Sequence, residues 1–134
     1  LGRRLAEDPR CTLAEGDFFA LALAHRLVPA TAGGATAGGK ADAILLDIDH
    51  SPANVLHPSH AALYTPAGLA AVAAQLRPDG VFALWSNDGP DPGFVAALRG
   101  AFAQVEAQVV RFASLAGDRR DGNTIYIAAA PMQA

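Results

Sequence analysis

Ala41 to Ile48 (ADAILLDI) is a continuous apolar run that closes on acids. Apolar character without alternation marks a strand covered on both faces, so the segment predicts a strand inside a parallel sheet. Val81 to Trp85 (VFALW) repeats the pattern. Between them, Thr65-Pro66 supplies an N-cap hydroxyl and a first-turn proline. Leu69, Val72, Ala73 and Leu76 follow at helical spacing until Pro78-Asp79-Gly80 stops the helix. Asp91-Pro92 opens another helix, through Phe94, Val95, Leu98 and Phe102. Upstream, Arg10 to Glu15 alternates weakly and reads as a short strand before the turn Gly16-Asp17. Phe18 to Val28 (FFALALAHRLV), apolar almost all round, reads as a helix N-capped by Asp17 and ended by Pro29. Val105 to Phe112 and Asn123 to Ala130 read as two further strands, the second following the charged turn Asp118 to Gly122.

The resulting order is strand, helix, strand, helix, strand, helix, strand, strand, which predicts an α/β sheet with helices on both faces. The sheet is expected to be mostly parallel, with the strand ending at Asp47 beside the strand ending at Trp85. The last two strands are expected to close it as a hairpin-like pair. Two stretches fall outside this pattern. Ala30 to Gly39 has no large side chain to bury and reads as a loop. Asp49 to Thr65 carries Pro52, Pro58 and three histidines, and unstructured stretches of this length in compact domains are usually functional or flexible.

Composition narrows the function classes. At 134 residues and 51% hydrophobic, the chain has room for one domain. A net charge of -3 provides no basic surface to neutralise a run of phosphates, which argues against nucleic acid as a partner. Apolar stretches such as Leu69 to Leu76 are far short of the roughly 20 residues that span a bilayer, so no membrane partner is expected. Cys11, the single cysteine, can form neither an internal disulfide nor a multi-cysteine zinc site, and a reducing, cytoplasmic setting is the simplest reading. The chain starts at Leu1, and LGRRL reads as the end of a helix already under way, so residues 1–134 are expected to be one domain truncated at its N-terminus.

Gly34 to Ala41 (GATAGGKA) nearly matches the phosphate-binding pattern G-x-x-x-x-G-K-[ST]. It departs on two counts: Ala41 replaces the magnesium-binding hydroxyl, and the stretch precedes a strand where the mechanism needs it to follow one. His50, His57 and His60 lie near Asp47 and Asp49, and imidazoles with a carboxylate are metal ligands, but no helical i, i+4 pair presets a geometry and no metal is assigned. The aspartates say more. Ligands of open parallel sheets bind at the carboxyl ends of strands, where Asp47 closes the most strongly marked strand and Asp17 follows the strand before it. The plainer alternative is that each caps a helix or turn.

Four segments, DPRCTLAEGDFFALA (Asp8 to Ala22), ADAILLDIDHSP (Ala41 to Pro52), LYTPAGLAAVAAQLRPDGVFALWS (Leu63 to Ser86) and NTIYIAAA, resemble the second half of the spermidine synthase-like branch of the class I S-adenosylmethionine-dependent methyltransferase superfamily. The resemblance implies a Rossmann-like sheet whose last strand runs antiparallel between Trp85's strand and the one ending near Phe112. It implies that Asp17 accepts from the adenine amino group of S-adenosylmethionine, or of its decarboxylated form, with Phe18 alongside. It further implies that Asp47 orients and deprotonates an attacking amine. Asp49 or His50 would hold the far end of the acceptor, with Tyr64 and Trp85 lining its pocket. The polyamine aminopropyltransferases of this branch carry D-x-x-D-P, whereas here the run is Asp47-Ile48-Asp49-His50, so the second acid is either displaced to Asp49 or replaced by His50. The family's glycine-rich cofactor turn and ribose-binding acid would lie before Leu1, and the strand near Leu13 would then lack its natural neighbours. The expected activity is transfer of an aminopropyl or methyl group from the sulfonium co-substrate to a small nucleophile, an amine, as in polyamine biosynthesis, with a homodimer among the expected states. Two rivals stand beside it: a degenerate, non-catalytic domain with a scaffolding role, and a metal-binding domain using the three histidines.

Overall fold

The computed structural model describes residues 7–28, 39–113 and 120–132. Its elements are helix α1 (Phe18–Leu23), strand β1 (Ala41–Leu46), a 3-10 helix (Pro58–Tyr64), α2 (Pro66–Ala73), β2 (Leu76–Ser86), α3 (Pro92–Arg99), β3 (Phe102–Ala113) and β4 (Arg120–Pro131). The helix starts follow from their caps. Thr65 Oγ1 accepts from the Gly68 amide at 3.2 Å, and Asp91 Oδ1 accepts from the Gly93 and Phe94 amides at 2.7 and 3.2 Å, each ahead of a first-turn proline. Gly68 is required for a second reason: a β-carbon there would overlap the carbonyl oxygens of Ala62 and Leu63, where α2 crosses the 3-10 helix.

The four strands form one sheet in the order β1-β2-β4-β3. β1 pairs with β2 in parallel, and β4 lies antiparallel between β2 and β3. The neighbours are those read from the sequence. Only one pairing is parallel, because β4 separates β2 from β3, yet β1, β2 and β3 all run in one direction and β4 alone reverses. β2 is longer than the segment Val81 to Trp85. Its first residue, Leu76, faces Ala41, and Val81 faces Ala43, so Arg77 to Gly80 loop out of the ladder where a helix stop was expected. β3 likewise starts at Phe102, which was assigned to the preceding helix, because Gly100 ends α3.

The core lies on one face of the sheet. Ile44, Leu46, Phe82, Leu84, Tyr126 and Ala128 are buried there against Phe19, Leu63, Leu69, Val72, Phe94 and Leu98 of the helices. Helices on both faces were expected. Among the described residues they occupy this face only, and on the other Leu45 is 77% exposed, with Ala83, Trp85, Ile125 and Ile127 half-buried. β1 therefore reads as doubly covered in sequence while Leu45 faces outward.

Three other readings change. The strand expected over Arg10 to Glu15 is not formed: residues 11–15 have no regular structure and Leu13 is 94% exposed, since no described strand lies beside them to complete a ladder. The helix expected to reach Val28 ends at Leu23, before Pro29 can act. Its end is a Schellman motif, in which the Arg26 amide bonds to the Leu21 carbonyl (2.8 Å) and the His25 amide to that of Ala22 (3.1 Å), with His25 left-handed at φ 57°. The buried Gln75 side chain then ties this end to α2, accepting from the Leu27 amide and donating to Ala22 and Ala71 carbonyls at 2.8 to 2.9 Å. The α2 helix ends at Ala73, so Leu76 belongs to the strand. Because a left-handed His strains its β-carbon and His25 is exposed, His25→Gly is expected to stabilise the fold by about 0.5–1 kcal/mol, read as a higher urea midpoint at unchanged slope. The LGRRL segment and the Ala30 to Gly38 part of the glycine-rich loop lie outside the described residues. Of the expected Asp118 to Gly122 turn, the residues from Arg120 on belong to β4.

Candidate functional site

One rim of the sheet collects the carboxyl ends of β1 and β2 and the paired segment of β4, where Ser86 faces Thr124. In an open α/β sheet this is the rim that meets ligands. The stretch after β1 carries Asp47, Asp49 and His50, and the turn after β2 carries Asn87 and Asp88. That turn is rigidly held. Thr124 Oγ1 donates to the Asp88 carbonyl at 2.8 Å, the Asp88 amide donates to Ser86 Oγ at 3.2 Å, and the Asp91 amide donates to Tyr126 Oη at 2.8 Å. Burial is the main cause that raises the Tyr126 hydroxyl above its ordinary pKa.

Asp49 is the hub of the stretch between β1 and α2. Its side chain is 1% exposed, and three donors converge on it: the Leu56 amide and His60 Nδ1 on Oδ1, both at 2.8 Å, and Tyr64 Oη on Oδ2 at 2.7 Å. Burial alone would raise this carboxyl. The bonds from His60, Leu56 and Tyr64, with the charge of His60, outweigh it and hold the pKa below the ordinary carboxylate value. Tyr64 answers in the opposite sense. Its burial, the bond it donates to Asp49 and the nearby carboxylate charge push its hydroxyl far above the normal tyrosine pKa. A carboxylate only accepts, so Nδ1 of His60 carries the proton in this bond. The His60 ring stacks flat on Phe19 of α1, with centroids 3.7 Å apart and planes at 9°. Aromatic contacts continue through Tyr64 and Phe94 to Tyr126, joining α1, the 3-10 helix, α3 and β4.

The other candidates divide around this hub. Asp17 caps α1, accepting from the Ala20 amide through Oδ1 at 3.1 Å, with no partner for Oδ2 among the described residues; Phe18 is half-buried edge-on to Phe19. The plainer reading of Asp17 as a cap is thus met by Oδ1. Asp47 lies one residue past β1 and is exposed. It borders a cleft of about 210 Å³ on the sheet face without helices, walled by Leu45, Ala83, Trp85 and Ile125. His50 is exposed; its carbonyl accepts from the Asn87 amide at 2.7 Å and Asn87 Nδ2 stands 3.5 Å from its Nδ1. The structure therefore brings Asp49 and Tyr64 together on the helix side and sets Asp47 with Trp85 on the open side.

The three histidines do not converge. His60 is on Asp49, His57 Nδ1 accepts from Ser59 as cap of the 3-10 helix, and His50 is at Asn87; among the described residues no group of three or more His, Cys, Asp or Glu is placed to hold a metal ion. Of the phosphate-loop look-alike, only Gly39 to Ala41 is described, and Lys40 precedes β1 at the opposite end from the rim. Sequence reading missed the roles of His60, Phe19 and Asn87. No local signal marks them, since their partners lie 11 to 41 positions away. Among the described residues, no helix is long and apolar enough to cross a membrane. No protein-family model matches the chain, and no curated protein matches it either.

Proposed function

We propose that this chain is the acceptor side of a spermidine synthase-like transferase, which moves an aminopropyl or methyl group from S-adenosylmethionine or its decarboxylated form to a small amine. The observation that carries the reading is the separation of two carboxylates two residues apart. Asp49 is buried with three donors on its oxygens, whereas Asp47 is open at the carboxyl end of a parallel strand. One acid fixes the backbone and the other is left for chemistry. The strand order supports the same reading, because a single reversed strand between β2 and β3 is the ending that the resemblance implies.

The donor supplies a sulfonium whose carbon–sulfur bond breaks toward sulfur as the new carbon–nitrogen bond forms. What remains for the protein is to position the amine in line and keep it unprotonated. Asp47 would orient the amine and take its proton. The Oδ2 of Asp17, not used by the cap, would accept from the adenine amino group, with Phe18 beside it. His50 is the open candidate for the acceptor's far end. Asp49 and Tyr64 act through position, by holding the stretch that carries Asp47 and His50 against α1.

The reading places the glycine-rich turn and the ribose-binding acid N-terminal to this chain. In calorimetry, residues 1–134 alone are therefore expected to bind S-adenosylmethionine weakly or not at all, and micromolar binding would mean that the site is misplaced. The decisive experiment is a transfer assay on the protein carrying both this chain and that turn, with each donor and a panel of primary amines. Absence of product with every pair would favour the degenerate, scaffolding role instead.

A further inference from the structure

We infer that the outer edge of β3 pairs with the same edge of a second copy of this chain, antiparallel about a two-fold axis at Gln108, so that one sheet runs through both copies. In the order β1-β2-β4-β3, β3 is an outermost strand, bonded among the described residues only on its β4 side. Its other side presents a row of backbone N–H and C=O groups that an added strand can bond. Three features leave this edge open to such addition. At twelve residues β3 is about twice the usual strand length. It keeps one register with β4 from Gln104 facing Ala129 to Ala113 facing Arg120, and it contains no proline, glycine or lysine, so it lacks the breaks and charges that commonly blunt an edge. Finally, β2 stops pairing at Ser86, opposite Thr124, so Val110 to Ala113 and Arg120 to Asn123 run on as a two-stranded arm, in which Val110, Arg111 and Phe112 are exposed.

The shape of the edge selects a second copy as its partner. Along the first half of β3 lies a groove of about 500 Å³, lined by Ala103, Gln104, Val105 and Glu106 with Ile127 and Ala129 of β4. Four consecutive residues line it although their side chains alternate between the two faces, so the groove follows the strand itself. The second half projects instead: Val109, Val110 and Phe112 are 44%, 37% and 46% exposed. Antiparallel pairing sets the projecting half of each copy against the grooved half of the other. With Gln108 at the centre, Gln104 faces the partner's Phe112, Glu106 the partner's Val110 and Ala107 the partner's Val109. Like charges are kept apart in this register, whereas a centre at Glu106 or Arg111 would set identical charges opposite each other. A parallel approach would put groove on groove and projection on projection. The two-fold arrangement uses one patch twice and closes at two copies. It makes no use of the proposed transfer, so the two can fail separately.

Sedimentation equilibrium of the chain, with Cys11→Ser to remove its single cysteine, is expected to show a monomer–dimer equilibrium with a Kd in the micromolar range. Val110→Lys and Phe112→Lys are each expected to weaken it at least about tenfold with the far-UV circular dichroism unchanged. Leu45→Lys, on the sheet face without helices, is expected to leave it intact. Oxidation then tests the register. In the Cys11→Ser background Gln108→Cys is expected to link two copies, because directly paired residues lie about 4.5–5.5 Å apart at Cα, within disulfide reach. Gln104→Cys is expected not to, since the two copies' residues 104 fall at opposite ends of the ladder. A chain that stays monomeric at about 100 μM would overturn the inference, a concentration well above a micromolar Kd. So would a dimer that Leu45→Lys dissociates and Phe112→Lys does not, or one that Gln104→Cys links and Gln108→Cys does not.

Discussion

Replacing Asp49 by alanine is expected to destabilise the fold by about 3–5 kcal/mol, enough to leave much of the protein unfolded at 37 °C if its total stability is ordinary. The size of the effect comes from what is left behind. The carboxylate is 1% exposed, and its removal leaves the Leu56 amide, His60 Nδ1 and Tyr64 Oη without the acceptor they share. His60 would also lose the bond that sets its ring on Phe19, loosening α1, which is only six residues long and depends on such contacts. Tyr64→Phe removes one donor and keeps the ring packing, so its cost should be nearer 1–2 kcal/mol. Thermal denaturation followed by circular dichroism separates the two. The pH dependence gives an independent check with a definite sign. Asp49 is held below its unfolded pKa of about 3.9, so its contribution is complete above that value and is lost as pH falls through the lower, folded pKa. The stability gap between the wild type and Asp49→Ala should accordingly be constant near neutrality and narrow in acid below about pH 4. A gap that persists unchanged in acid would mean that Asp49 acts by its volume and not by its charge.

How much of this was legible in the sequence depends on how far apart the partners lie. The helix starts at Pro66 and Pro92 are local, because a hydroxyl or carboxylate before a proline meets amides two or three residues on. The place of β4 between β2 and β3 came with the resemblance, because the pattern alone gives only a hairpin-like closing pair. The end of α1 could not. Pro29 is a visible stop, but the Schellman bonds close the helix six residues earlier, through a left-handed His25 that carries no sequence mark. The Arg10 to Glu15 segment failed for the converse reason: weak alternation is a preference, and a strand needs a neighbour to bond. Among the site residues, sequence placed Asp47, Asp49, His50 and Tyr64 in one group. Their sorting required knowing which side of the sheet each one faces. Alternation separates Asp47 from the buried Leu46, but Asp49 is turned inward by a stretch whose path depends on His60 and Tyr64, 11 and 15 positions away.

That sorting makes the second large effect a specific one. In the proposed transferase, Asp47→Asn is expected to lower turnover by roughly 100-fold or more, the usual scale for a general base, with little change in stability. An amine at neutral pH is overwhelmingly protonated and cannot attack carbon until its proton has an acceptor. Asparagine keeps the shape of the side chain and removes that acceptor. Because Asp47 is exposed and lies beyond the last residue of β1, its charge supports no packing, and the fold should melt close to the wild-type temperature. Asp17→Asn should behave differently: with Oδ1 already on the Ala20 amide, it should first weaken nucleoside binding, and turnover only through it. The two variants therefore separate in kcat and in nucleoside affinity, which a generally damaged protein would not do. If Asp47→Asn keeps its turnover with every amine tried, proton removal is not its task. A methyl transfer to a different nucleophile, or a domain that carries out no transfer, then becomes the better account of an open carboxylate at the end of β1.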